Sequence, residues 1–172
     1  MVREQQGEVS EDAVMTRIGQ TVMLHRAGDR EEARNRFAQL WAEIGEAGDP
    51  LHRCTLAHYM ADTQDDPADE LVWDVRALRA ADSHAGSRSP SASRTAVAVR
   101  AFYPSIHLNL AADYVKLRRP EAARRALRRA RESARVLGDD EYGDGVRAAI
   151  ARLELRLGGS TGDPAPPGGH LP

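Results

Sequence analysis

Apolar residues recur along most of this chain at steps of three and four, the period of a helix with one buried face. From Ser10, where Ser10, Glu11 and Asp12 form a capping signal, Val14, Ile18, Val22 and His25 fall on one stripe that ends at Gly28. Asp29 can cap a second helix, Arg30 to Gly45, carrying Ala33, Phe37, Leu40, Trp41 and Ile44. With almost no connection at Gly28-Asp29, these two helices are expected to pack as a hairpin. Gly48-Asp49-Pro50 precedes a third helix, Leu51 to about Asp62, and Pro67 opens a fourth that reaches Ala81. The register is clear again from Ser105. Ile106, Leu110, Tyr114 and Leu117 form one stripe, and Ala123, Leu127 and Ala130 form the next beyond the turn at Arg118-Arg119-Pro120. Pro104 either begins that first stripe's helix or kinks a longer one. A last helix is predicted from Glu141 to Leu157 with Val146, Ile150 and Leu153 inward.

Three segments lack this pattern. Residues 1–9 read as a flexible N-terminus, 83–94 as a mobile loop of Ser, Gly, Arg, His and Pro, and 158–172 as a disordered Pro/Gly-rich tail. The helical domain is expected over 10–157. Composition sharpens the picture: at 172 residues, 41% apolar and 29% charged, one folded domain is the default, and the abundance of Ala, Leu and Arg favours helix over strand. The net charge of −2 gives no global field to recruit nucleic acid or an anionic membrane. No apolar leader or spanning segment is visible and Cys54 is alone, so a cytoplasmic, reducing environment is expected. Lys116 is the one lysine among 24 basic residues, a bias of the kind carried by GC-rich bacterial coding sequences.

An internal repeat is the strongest signal. Gly28-Asp29-Arg30-Glu31-Glu32-Ala33 with Phe37 and Leu40 superimposes on Arg118-Arg119-Pro120-Glu121-Ala122-Ala123 with Leu127 and Ala130. In each, a small residue is followed by apolar ones four and seven positions later. Asn109-Leu110-Ala111, with Tyr114 and Leu117 downstream, supplies a first-helix pattern, and a weaker middle copy runs through Leu56-Ala57, Met60 and Trp73. These segments resemble the tetratricopeptide repeat (TPR) family. If Gly28, Gln64 and Arg118 are equivalent turns, they stand 36 and 54 residues apart, against a period of about 34, so one insertion near the Ser/Gly/Arg segment explains the excess. The middle copy departs from the pattern, with Asp69 where a small residue is expected.

The resemblance implies an all-α solenoid of about three antiparallel helix pairs with a C-terminal capping helix. It also implies a concave groove lined by the first helix of each pair, where a protein or peptide partner lies. Cys54, His58 and Asp62, at i, i+4 and i+8, would face that groove together with Asn109, Ala112 and Lys116. Asn109 matches the position from which peptide-clamping members hold a carboxylate or main chain, with Lys116 as its one basic companion.

Chemical readings compete with this. His52, Cys54, His58, Asp62, Asp65 and Asp66 include the residue types that bind zinc, with His107 as a further donor, but Cys54 and Asp62 lie about 12 Å apart along a helix. No metal site is therefore assigned. A Cys54/His58 or His58/Asp62 enzyme would need an activated thiol or a pocket, and no oxyanion loop or cofactor motif is recognised, so neither a catalytic residue nor a cofactor is assigned. Charge is also polarised, with an acidic block at Asp62, Asp65, Asp66, Asp69, Glu70 and Asp74 and a basic one through Arg118–Arg135. Solvated helix faces are the simplest account. The basic helix otherwise suits an acidic partner or nucleic acid, although no base-reading motif accompanies it, and head-to-tail self-association is a further reading.

Overall fold

In a computed structural model the described residues are 2–84 and 90–159 for the backbone, and 13–83 and 96–159 for the side chains. Every regular element among them is helical: α1 (Val2–Arg26), α2 (Arg30–Ile44), α3 (Pro50–Ala61), α4 (Pro67–His84), α5 (Pro90–Lys116), α6 (Pro120–Ser133) and α7 (Glu141–Gly159), with a 3-10 turn at Ala134–Val136 after α6. The starts follow from local chemistry. The Asp49 carboxylate accepts from Leu51 and His52 N–H groups at 2.8 and 3.2 Å with Pro50 in the first turn, and Asp66 accepts from Ala68 N–H at 2.7 Å ahead of α4. Asp140 does the same for Gly143 at the start of α7, at 2.7 Å.

Consecutive helices pack on one another throughout, and the odd-numbered helices also pack among themselves, α1 on α3, α3 on α5 and α5 on α7. The even-numbered helices form no such row; α2 reaches α4 through Trp41, whose ring meets Trp73 edge-on at 5.1 Å. Two apolar cores result. Ile18, Val22, Ala33, Phe37, Leu40, Leu56 and Met60 join α1, α2 and α3, while a larger set from Cys54 and Ala57 through Ile106, Ala123 and Leu127 to Leu157 joins α3 to α7. Small residues at the seams, Ala33, Ala57, Ala111 and Ala123, are fully buried and let the helix axes approach.

The turns repeat in detail. Gly28 N–H donates to His25 and Asp29 N–H to Leu24, and the corresponding amides of Arg118 and Arg119 donate to Val115 and Tyr114. Both turns place one residue in the left-handed region, Gly28 at φ 97° and Arg118 at φ 58°. The first amide bonds of the following helices also correspond, Ala33 to Asp29, Glu70 to Asp66 and Ala123 to Arg119, each at 3.0 Å. This fixes the equivalence of α2, α4 and α6: Ala33, Glu70 and Ala123 share one position, and Phe37, Asp74 and Leu127 share the next.

Several sequence expectations need correction. α1 begins at Val2, not Ser10, so residues 2–9 are helical backbone. α4 continues to His84 and α5 starts at Pro90, leaving only 85–89 of the expected 83–94 loop outside the described residues. Of the two readings of Pro104, the structure has the second, a proline inside a longer helix: it is an interior residue of α5 and is fully buried. α7 takes in Gly158 and Gly159, and the rest of the expected tail, 160–172, lies outside the described residues. The residue matching Ala33 in the middle copy is Glu70, not Asp69, because the α3–α4 connection is longer than its counterparts and shifts the register. Among the described residues no helix is long and apolar enough to cross a membrane.

Candidate functional site

Glu70 and Asp74 bring acidic side chains to two positions that the neighbouring repeats fill with Ala and with Phe or Leu. Asp74 is fully buried, as Phe37 is. Its carboxyl group meets that of Asp113 on α5, also fully buried, with the Asn109 side chain as its other polar neighbour, and apart from these no donor among the described residues hydrogen-bonds the four carboxyl oxygens. Two such groups buried against each other are costly as a pair of anions, and the physical resolution is protonation. Burial pushes Asp74 well above the carboxylate range, reinforced by the charge of Asp62; Asp113 and Asn109 stand beside it as polar neighbours that favour the ionised form. Burial raises Asp113 to about 8, with the charges of Asp74 and Glu70 adding and Lys116 opposing. The two therefore share protons at neutral pH.

Three more residues close around this pair. His58 on α3 has its side chain 11% exposed and Nδ1 3.7 Å from Asp74 Oδ1, too far for a hydrogen bond. Burial lowers its pKa, against the pull of Asp62, so it stays neutral. Lys116, at the end of α5, reaches Glu70 Oε2 at 2.5 Å and lies 3.7 Å from Asp113 Oδ1. Asp62 is exposed at the rim, yet enough protein surrounds its carboxyl for desolvation to raise its pKa despite His58 and His25 nearby. The assembly thus spans α1, α3, α4 and α5 on the side where odd-numbered helices meet: four carboxyl groups, two imidazoles, Asn109 and one lysine.

Of the residues expected in the groove, His58, Asp62, Asn109 and Lys116 are brought to this region. Cys54 is not. It is fully buried in the larger core, and desolvation followed by the charge of Asp82 pushes its thiol up to about 12, so it offers no thiolate for catalysis or metal binding. Lys116 is already engaged by Glu70, so it is not a free cation waiting for a carboxylate. The other candidate metal donors are dispersed. Asp65 is held by Arg30 and Arg34 at 3.0 and 2.7 Å, Asp66 caps α4, and His107 stacks on Tyr103 with ring centroids 6.0 Å apart in the cleft between α4 and α6. Among the described residues no group of three or more His, Cys, Asp or Glu side chains is placed to hold a metal ion.

Sequence reasoning missed Asp74 and Asp113 as a pair. The signal was present in the register: Asp74 stands seven residues after Pro67, as Leu127 stands seven after Pro120 and Phe37 seven after Arg30. No protein-family model, curated protein or solved structure matches the chain.

Proposed function

We propose that this chain is a TPR-like interaction module that holds a basic peptide segment of a partner protein along the face formed by α1, α3, α5 and α7. The alternation of packing supports a solenoid: the odd-numbered helices touch in series and the even-numbered ones splay, which curves the stack toward the odd side. The repeated left-handed turns at Gly28 and Arg118 and the buried alanines Ala33 and Ala123 agree with the TPR resemblance. Fold alone does not choose a ligand.

The observation that carries the choice is the convergence of Asp62, Glu70, Asp74 and Asp113 around the single cation Lys116. Acids placed where the fold's own pattern has Ala and Phe or Leu lower stability, and a lysine or arginine side chain at Asp62, beside the Glu70–Lys116 ion pair, is the partner that would complete the rim. Asn109 can add a hydrogen bond to the peptide main chain. A carboxylate ligand would meet Asp62 at the rim, with Lys116 already held by Glu70. This reading also leaves the Cys54/His58/Asp62 enzyme without its nucleophile.

A peptide array of matched Lys/Arg-rich and Asp/Glu-rich sequences tests it. Basic peptides should be retained, and Asp62→Asn with Glu70→Gln should remove that retention while helicity is unchanged. Retention of acidic peptides that is lost on changing Asn109 and Lys116 would instead establish a carboxylate clamp and overturn the proposal.

A further inference from the structure

Because the even-numbered helices splay, two clefts open on the opposite side of the molecule. One, of about 380 Å³, lies between α2 and α4 over α3 and is lined by Trp41, Arg53, Arg76, Arg79, Ser83 and Glu46. The other, of about 400 Å³, lies between α4 and α6 over α5, with Arg125, Arg128 and Arg129 above a floor that includes Leu78, Leu110 and Tyr114. They occupy corresponding places in successive repeats.

None of these six arginines forms an ion pair with a carboxylate among the described residues. Elsewhere arginines are matched at short range, as Arg17 is to Glu43 at 2.6 Å, Arg34 to Asp65 at 2.7 Å and Arg147 to Asp144 at 2.8 Å. In the first cleft the guanidinium carbons of Arg53 and Arg76 sit over the rings of Trp41 and Trp73, 4.5 and 4.2 Å from the centroids. Such stacking holds a guanidinium in place and leaves N–H groups for a bidentate acceptor. Arg53 also donates to the Gly45 carbonyl, which fixes it further. Glu46 in one cleft and Glu132 in the other reduce the positive charge without cancelling it.

We infer that the α2/α4 and α4/α6 clefts together form a docking surface for an acidic protein segment, an extended peptide in which Asp or Glu side chains alternate with apolar ones. Charge complementarity selects the anion, and the apolar floors of Leu78, Leu110, Tyr114 and Trp41 select a peptide over a bare polyanion, whose phosphates gain nothing from them. Nucleic acid is disfavoured for a second reason: the rings of Trp41 and Trp73 at the first cleft are partly buried in the core and covered by Arg53 and Arg76, so those faces are not open to a base. This surface is independent of the inner face and stands if the basic-peptide reading fails.

The test uses the full chain and a fluorescein-labelled twelve-residue peptide alternating Glu and Asp with Leu and Ala, followed by anisotropy at increasing salt. Controls are the same peptide with Gln and Asn in place of its acids, pyrophosphate, and a single-stranded oligonucleotide. The acidic peptide should bind and its neutral analogue should not. Arg76→Gln with Arg79→Gln, and separately Arg125→Gln with Arg129→Gln, should each weaken binding by about tenfold, while Asp62→Asn with Glu70→Gln leaves it unchanged. These arginines are exposed, and the circular dichroism spectrum of each variant should match that of the wild-type chain. Absence of peptide binding, tighter binding of the oligonucleotide or pyrophosphate, or self-association in sedimentation that the same arginine changes abolish would each overturn the inference.

Discussion

Arg118 holds, at φ 58°, the left-handed backbone conformation that Gly28 holds at φ 97° in the turn between α1 and α2. The hydrogen bonds around the two residues correspond one for one, so the repeat demands this conformation and the side chain tolerates it. Glycine enters that region freely and arginine does not. Arg118→Gly should therefore raise stability by about 0.5–1 kcal/mol, and Gly28→Ala should lower it by about 1 kcal/mol. A Cβ at Gly28 would meet nothing within 4 Å, so the loss there is conformational rather than steric. Urea midpoints at unchanged m-value measure both.

Asp74 stands where Phe37 and Leu127 stand in the flanking repeats, and replacing it by the residue the pattern expects separates stability from recognition. Asp74→Leu removes a buried carboxyl group whose polar neighbours are Asp113 and Asn109, and should stabilise the fold by about 1–3 kcal/mol. The same change removes the buried group packed against Asp113 beneath Asp62 and Glu70, so retention of basic peptides should fall through the loss of a group that positions those acids. A protein that is more stable and binds less would mark Asp74 as a positioning residue held against the preference of the core. Loss of stability instead would mean the carboxyl has a structural partner.

Much of this architecture was legible in the chain because amphipathic spacing directly encodes which face is buried. Ile18 and Val22 in α1, Phe37 and Leu40 in α2, Leu127 and Ala130 in α6, and Ile150 and Leu153 in α7 are all buried as their spacing predicts. The start of α5 was obscured because Ser, Arg and Thr there supply no apolar stripe and Pro104 suggested a boundary; a buried Val99 one turn upstream shows the helix already packed. The inner site was only half visible. His58, Asp62, Asn109 and Lys116 follow from helix spacing, but Asp74 looked like a member of a solvated acidic face, and nothing in the spacing linked it to Asp113. Only the register set by the amide of Glu70 reveals that Asp74 points into the core. Cys54 erred the other way, since it lies near the stripe of groove-facing residues but turns into the apolar cluster beside Ala57 and Ala80.

The burial of Cys54 has a direct chemical consequence. With its thiol pushed up to about 12, the thiolate population at pH 8 is negligible and no solvent path reaches the sulfur. Ellman's reagent should fail to label the native protein at pH 8 and should label one thiol per chain in denaturant. Rapid labelling of the folded chain would restore the reactive-cysteine reading.

The Asp74/Asp113 pair makes stability depend on pH in a direction opposite to that of an ordinary salt-bridged carboxylate. Asp113 titrates at about 8 in the folded chain, through burial and then the charges of Asp74 and Glu70, whereas an unfolded aspartate titrates near 4. The folded state therefore binds more protons over that interval, and stability falls as pH rises from about 4 to about 8, then levels off. Asp74 shifts the same way. The other groups facing the pair are Glu70 on α4, Lys116 on α5, His58 on α3 and Asp62 just after α3. His58, and His107 in the outer cleft, are both lowered by burial and act in the opposite sense, but only below about pH 6.5. The contribution of the carboxyl pair is thus read between about pH 6.5 and 8, where urea midpoints should decline for the wild-type chain. In Asp113→Asn, which keeps the shape and removes the proton, the decline should be distinctly shallower. An equal slope in both proteins would show that the pair is ionised in the folded state and would remove the proton-sharing account of the site.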